Sequence, residues 1–321
     1  MTTRFGEAAT PFDERVEAAV AATPELAGEV EAYDLAAVPV ASPIHRATVS
    51  DCARLERRAG PPVFLKIRHA DCAADVSPVA ADAARKAADA GVAPHVFAAA
   101  GGALALDFLP EPWRYARVGD LQDEHILAET LAAKKALHAL SPIGWRFDPF
   151  ERVRSLAAEA ARLGAPLPDG AAEMVAACGL AGAAIAAAGV DLAFCHNDGI
   201  ASNVMLRDDA AGERVRLVDF DLAGDADPWF DVGALLNEAC RFEADRRGAI
   251  EVYAGRCEER IYNRCRLYGA VDDVMWGLWG VARAVGSKRP GIEFYKYGTW
   301  RLSHARTTFA ERGFEEWLRR L

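Results

Sequence analysis

The sequence contains no Cys-x-x-Cys pair, and its seven cysteines, an odd number, are scattered from Cys52 to Cys265. That pattern excludes a disulfide framework and a cysteine zinc site, and it implies reduced, buried thiols in a cytoplasmic protein. Positive charge is also short: 37 Lys and Arg against 47 Asp and Glu leave a net charge of −10. Nucleic acid and an anionic membrane surface both attract the opposite sign, so neither is expected as a partner. An acidic chain can instead help draw in a cationic small molecule. No apolar leader opens the chain, and the Ala/Gly stretch 178–190 is shorter than the roughly 18 apolar residues that span a bilayer. No internal repeat is visible, and the oligomeric state stays open, a homodimer included.

What is present is ordinary globular material, 52% hydrophobic and 26% charged over 321 residues, enough for two packed lobes. Residues 47–55 and 63–68 read as strands parted by the turn Arg-Ala-Gly-Pro-Pro. A helix over 76–90 ends at Gly91, and strands 95–99 and 103–109 meet at Gly101-Gly102. Pro110 and Pro112 can continue neither a ladder nor a helix, which places an interlobe connection there. Beyond it, helical spacing marks 121–140, 152–163 and 170–188, and helices resume at about Trp229. Only 204–206 and 215–220 read as strands, around a turn at 208–212. The expectation is an α+β chain of two lobes: 1–109, a small antiparallel sheet with one helix, and 110–321, mostly helical.

The strongest local signal is His196-x-Asp198-x-x-x-x-Asn203, followed after a short hairpin by Asp219. This order and spacing match the loop that phosphoryl-transfer enzymes of the kinase type use. Such transfer needs an acceptor oxygen aimed in line and a magnesium ion to spread phosphate charge. Asp198 is expected to orient and deprotonate a hydroxyl, and Asn203 and Asp219 to supply hard oxygen ligands to Mg2+. His196 is expected to hold the loop together by hydrogen bonds. Taken singly, Asp and Asn cap turns, and the joint match outweighs that reading.

A cation for the α- and β-phosphates of ATP is expected from Lys66 in the apolar strand 63–68, with Asp82 as its helix partner and Asp75 in reserve. The segment 38–49, where a phosphate-covering loop belongs, has no glycine. The hydroxyls of Ser42 and Thr48, or Arg46, would have to replace the backbone approach that glycine allows. The same lack motivates a catalytically silent binding module as one alternative.

These residues resemble the choline/ethanolamine kinase and aminoglycoside phosphotransferase superfamily, of protein-kinase-like fold. The likeness runs from about Lys66 to Arg301. CHNDGIASNVML is similar to that group's HNDLxxxN, with Gly199 where leucine is common, and VDFDLAGDADPWFDVGALLNEA resembles the choline-kinase stretch IDFExxxxNxxxFDIGNHFxE. Gly91-Val92-Ala93-Pro94 matches its G-x-x-P, and WGLWGVARAVGSKRPGIEFYKY resembles its WGLW stretch. The segment 38–49 departs from the usual G-G-x-T-N-like loop. The resemblance implies ATP and Mg2+ as cofactors and a small hydroxylated substrate as partner, with the choline-kinase branch favoured. It further implies a cation box of Glu238, Trp276 and Trp279, helped by Tyr297; indole faces attract cations by about 0.5–2 kcal/mol each. Tryptophans at helical spacing are also common core residues, so the box competes with that plainer reading. Asp231 is expected to brace the catalytic loop from the start of its helix. Arg241, Arg246, Arg247 and Arg301 are expected as solvated surface charges. An aminoglycoside, a sugar or thiamine is the alternative acceptor.

Overall fold

The computed structural model describes residues 2–43, 45–208 and 215–321. Its first part carries strands β1 (Thr3–Arg4), β2 (Val30–Ala37), β3 (Val40–Ser42), β4 (His45–Ala47), β5 (Ser50–Arg57), β6 (Val63–Arg68), β7 (Val96–Ala100) and β8 (Ala103–Asp107), with helices α1 (Pro11–Ala21) and α2 (Ala80–Asp89). Six of these strands form an antiparallel sheet in the order β1-β2-β5-β6-β8-β7, while β3 and β4 pair only with each other. The Gly101-Gly102 turn between β7 and β8 takes positive φ at both residues, which favours glycine there.

This part holds more than the single helix expected. Helix α1 starts at a reciprocal capping box in which Thr10 and Asp13 bond each other's backbone, with Pro11 in the first turn. Its Val16 and Val20 pack on one face of the sheet, with Val63, Leu65 and Ile67 of β6. Strand side chains alternate, so Phe64 and Lys66 take the opposite face, where Phe64 meets the cluster that includes Ala83, Ala84 and Ala87 of α2. The strand expected over 47–55 is broken at 48–49, where the chain passes from the β3–β4 hairpin into the main sheet.

The second part has strands β9 (Trp113–Tyr115), β10 (Ala193–Cys195), β11 (Val204–Arg207), β12 (Val215–Leu217) and β13 (Gly224–Ala226). Its helices are α3 (Glu124–His138), α4 (Pro149–Arg162), α5 (Ala171–Ala188), α6 (Pro228–Ala239), α7 (Glu243–Ala254), α8 (Glu259–Gly286), α9 (Phe294–Phe309) and α10 (Phe314–Arg319). Strands β11 and β12 pair antiparallel as the sequence predicts, and apart from Asp208 the turn between them lies outside the described residues. Helix α8 is buried along most of its length and forms the axis of the helical core. It crosses α9 at glycines: a Cβ on Gly280 would lie 2.7 Å from Gly298 Cα. That close approach sets Trp279 of α8 against Tyr297 of α9.

Helix α5 corrects the expectation that its region is too short for a membrane: at 18 residues it is long and apolar enough by length and composition. Here the stripe Ala171, Met174, Cys178, Ala181 and Ile185 packs into the helical core.

Candidate active site

A cavity of about 290 Å³ lies between the sheet and the helical part. Lys66, Asp198, Ser202, Asn203, Asp219 and Asp221 all line it. The local fold explains the convergence. Asn203 ends a short helical turn and β11 follows; β12 returns antiparallel, and the Val218 amide donates to the Asn203 carbonyl at 2.9 Å. Asp219 comes next, in the left-handed region at φ 66°, which turns it back into the cleft.

The Lys66 ammonium donates to Asp219 Oδ1 at 2.6 Å and to Asp221 Oδ1 at 3.0 Å. Burial pushes the Asp219 carboxyl up, but the Lys66 charge outweighs it and the net shift is down. Asp221 is pushed up to about 6 by burial and by the charge of Asp219. Sequence reading did not single out Asp221, although it stands two residues past Asp219 in Asp-Phe-Asp.

The loop from His196 to Asn203 is held from beneath. Both oxygens of Asp231, fully buried in α6, accept loop amides, from His196 and Asn197 at 3.0 Å each. The same carboxylate accepts from Lys134 Nζ at 2.6 Å and meets His138 Nε2 at 3.0 Å. Its pKa is driven far down: burial opposes this, but the Lys134 charge and the His138 contact prevail. Lys134 was missed, yet it leaves a trace, a charge on the stripe Thr130, Leu131, Lys134 and Leu137 that α3 turns inward. Burial lowers the His196 pKa, and so does the Lys134 charge. The two His196 ring nitrogens meet backbone carbonyls, Nε2 that of Val218 at 2.8 Å and Nδ1 that of Asp198 at 2.9 Å, so the ring ties the loop to the hairpin that follows it.

Gly199 has a steric reason. A Cβ there would lie 2.5 Å from backbone atoms of Ala234 and Leu235, so a larger residue would drive the loop off α6.

Several expected partners are placed elsewhere. Asp82 does not meet Lys66. It lies on the outer side of α2, opposite the buried Ala83, Ala84 and Ala87, and pairs in solvent with Arg85 at 3.0 Å. The reserve residue Asp75 is buried and binds Arg152 at 2.5 Å, Arg283 at 2.9 and 3.0 Å, and the Trp279 indole N–H at 3.0 Å. Ser42 does not face the cavity, because its hydroxyl closes the β3–β4 hairpin on His45. Thr48 does line the cavity, with a buried hydroxyl that lacks a partner.

Of the residues expected to form a cation box, Trp276 and Trp279 line the cavity, while Glu238 and Tyr297 are held against other partners. Trp276 and Trp279 contact edge to face at 5.3 Å, and Trp279 meets Phe294 and Tyr297 in the same way. Glu238 is ion-paired with Arg301, which also holds Asp272 at 2.5 Å and Asp273 at 2.7 Å. Arg301 is thus a buried residue, not the solvated charge expected, and burial among three acids is what binds it there. Arg246 and Arg247 are half-buried, with Arg247 on Glu243, Glu259 and the ring of Tyr262. Arg241 is exposed as expected.

Arg46 is the occupant no spacing rule finds. Its guanidinium pairs with Asp198 Oδ2, donates to the Tyr297 hydroxyl at 3.0 Å and lies 3.3 Å over the Trp276 ring. Asp198 Oδ1, Ser202 Oγ and Asn203 Nδ2 are buried and have no partner. Buried polar groups are almost always satisfied, so such atoms around one cavity mark where a ligand supplies the missing bonds. The donor set of one amide and two carboxylates fits a hard cation, and the Lys66 ammonium already rests on both carboxylates as a cation would.

Residues 17–268, well over half of the chain, match the pattern of the family described as "Phosphotransferase enzyme family". The chain belongs to this family. Within it, the chain is 25% identical over 118 residues to Protein LicA of Haemophilus influenzae, a match that spans 35% of this chain and 41% of that relative. Two solved structures share its fold closely. One is a choline/ethanolamine kinase family protein from Mesorhizobium loti, with TM-score 0.75 and 23% identity over 96% of this chain and 98% of that one. The other is the choline kinase LicA from Streptococcus pneumoniae, with TM-score 0.74 and 14% identity over 94% and 99%. A LicA structure in complex with AMP also shares the fold, with TM-score 0.65 and 15% identity over 89% and 93%.

Proposed function

We propose that this phosphotransferase is an ATP-dependent kinase that phosphorylates the hydroxyl of a choline- or ethanolamine-like cation. In this reading residues 1–109 form the nucleotide lobe, and 110–321 supply catalysis and the acceptor site. The observation that carries it is the convergence of Lys66, Asp198, Asn203 and Asp219 on one cavity that also reaches Trp276. Family membership and the fold shared with choline kinases support the acceptor class.

Asp198 accepts the acceptor proton through Oδ1, the oxygen without a partner. Lys66 would neutralise the α- and β-phosphates, and His45, Arg46 and Thr48 are the polar residues of the glycine-free segment that face the cavity. Asn203 and Asp219, with Asp221 beside them, would hold Mg2+. Bound there, magnesium would spread the charge on the phosphoryl oxygens in transfer. The buried cavity strengthens each of these interactions by excluding water.

The test is an ADP-release assay across amino alcohols, thiamine, sugars and aminoglycosides, with and without Mg2+. Turnover confined to amino alcohols supports the reading. A second reading rests on Arg46 and Arg301: with the Trp276 face covered and Glu238 on Arg301, an uncharged sugar hydroxyl could approach Asp198 Oδ1 without using the aromatics. Turnover only with sugars or aminoglycosides would favour it.

A further inference from the structure

We infer that Arg46 is an internal mimic of the acceptor's cation, seated in the acceptor subsite until nucleotide binding draws it away. The inference rests on the proposed amino-alcohol reading. It adds that the acceptor competes with a residue of the chain itself.

Three observations carry it. The first is that the Arg46 guanidinium makes the contacts an ammonium acceptor would need: an ion pair with Asp198, a π face at 3.3 Å on Trp276, and the Tyr297 hydroxyl. A cation stacked this closely leaves no room for another on the same face. Trp279 offers no second face, since its indole is fixed to Asp75 and enclosed by Trp276, Phe294 and Tyr297.

The second is charge. Glu238, Asp272 and Asp273 are already gathered on Arg301, so Asp198 is the acid at Trp276 that Arg46 compensates. If Arg46 leaves, Asp198 becomes a buried, uncompensated carboxylate, which costs free energy until another cation arrives. A cationic acceptor meets that need and places its hydroxyl beside Oδ1.

The third is the way Arg46 is carried. Strands β3 and β4 pair only with each other and stand apart from the six-stranded sheet. Ala41 seats the hairpin on the helical core, and Ser42 closes it as a unit. It can therefore lift without breaking a sheet ladder. Arg46 lines the same cavity as Lys66 and Thr48, so a triphosphate entering there offers its guanidinium a stronger anion than one carboxylate. Nucleotide and acceptor are then coupled: the first to bind frees the site for the second.

Calorimetry of choline binding, with and without Mg2+ and a non-hydrolysable ATP analogue, tests the coupling in the full-length chain. In the wild type the analogue should tighten choline binding roughly ten- to a hundredfold, the range expected when the competent state is a minor population. Arg46→Ala should bind choline that tightly without nucleotide and show little further gain, while Arg46→Lys keeps the coupling in part. Weaker choline binding by Arg46→Ala, or unchanged coupling in it, would overturn the inference and make Arg46 a fixed holder of Asp198.

A second measurement does not depend on the acceptor. Acrylamide quenching of Trp276, taken as the difference between the chain and its Trp276→Phe variant, should rise when the analogue binds the wild type. In Arg46→Ala it should be high already. If no amino alcohol binds either protein but this quenching pattern holds, the acceptor assignment fails while the displacement of Arg46 stands. If quenching is the same in both proteins and indifferent to nucleotide, the displacement fails whatever the acceptor is.

Discussion

At the scale of single residues, the loop from His196 to Asn203 was legible because its geometry is local. A fixed spacing and one hairpin bring Asp198, Asn203 and Asp219 to the same edge, and spacing is what a sequence displays. Partner choice is not local. Lys66 selects Asp219 and Asp221, some 150 residues away, over the neighbouring Asp82 that spacing favours. Glu238 is likewise claimed by Arg301, a residue that reads as surface charge in a string of letters. Replacing Asp198 by Asn should lower kcat about 10²–10⁴-fold, the worth of a positioned base, with little change in nucleotide affinity measured by titration. The acids around Arg301 make a prediction of their own. Burial, only partly offset by Arg301, and the neighbouring charges push Asp272 from its ordinary 3.8 up to about 7. The folded chain then keeps a proton that the unfolded chain releases. That contribution to stability is complete below about pH 4 and is lost as pH rises toward 7. Denaturation midpoints of wild type and Asp272→Asn, compared across that window, should diverge, with the variant showing the shallower fall.

At the scale of elements, helices announced themselves by apolar spacing, and α3, α4, α5 and α6 begin within a few residues of where that spacing places them. Strand β2 and the short β10 and β13 did not, because their segments VEAYDLAA, AFC and GDA lack the β-branched alternation that marks a half-buried strand. Helix α1 carried a readable signature, Thr10-Pro11-x-Asp13, that composition alone passes over. Helices α3 and α6 matter most to the site, since they deliver Lys134 and Asp231 to the underside of the catalytic loop. Lys134→Met removes the one lysine on Asp231 and leaves a fully buried carboxylate to His138 and two amides. The expected cost is about 3–5 kcal/mol, the range for breaking a buried ion pair, read as a fall in the midpoint of thermal or urea unfolding. A parallel fall in kcat without a matching rise in KM would show that the loop has lost its support. Gly199→Ala should act on the same contact from the other side, lowering stability and turnover together, because a methyl group there meets α6 backbone that cannot give way.

At the scale of the whole molecule, the sequence displays the division into a sheet-rich and a helical part because strand-like segments precede Pro110 and Pro112 and helical spacing follows them. How the parts are fastened rests on Asp75, which sits between β6 and α2 yet binds Arg152 of α4, Arg283 of α8 and the indole of Trp279. Asp75→Ala should lower the unfolding midpoint by breaking a buried cluster, again on the order of 3–5 kcal/mol. It should also raise the radius of gyration of the ligand-free protein in solution scattering. An unchanged radius would assign Asp75 to local packing alone.

The bond from Asp75 to Trp279 has a mechanical meaning. An indole that stacks in the aromatic wall is tied to the segment that joins β6 to α2, so any parting of the two halves would pull on that wall. In the proposed kinase, release of spent nucleotide and of product would then be geared to one another through this one bond.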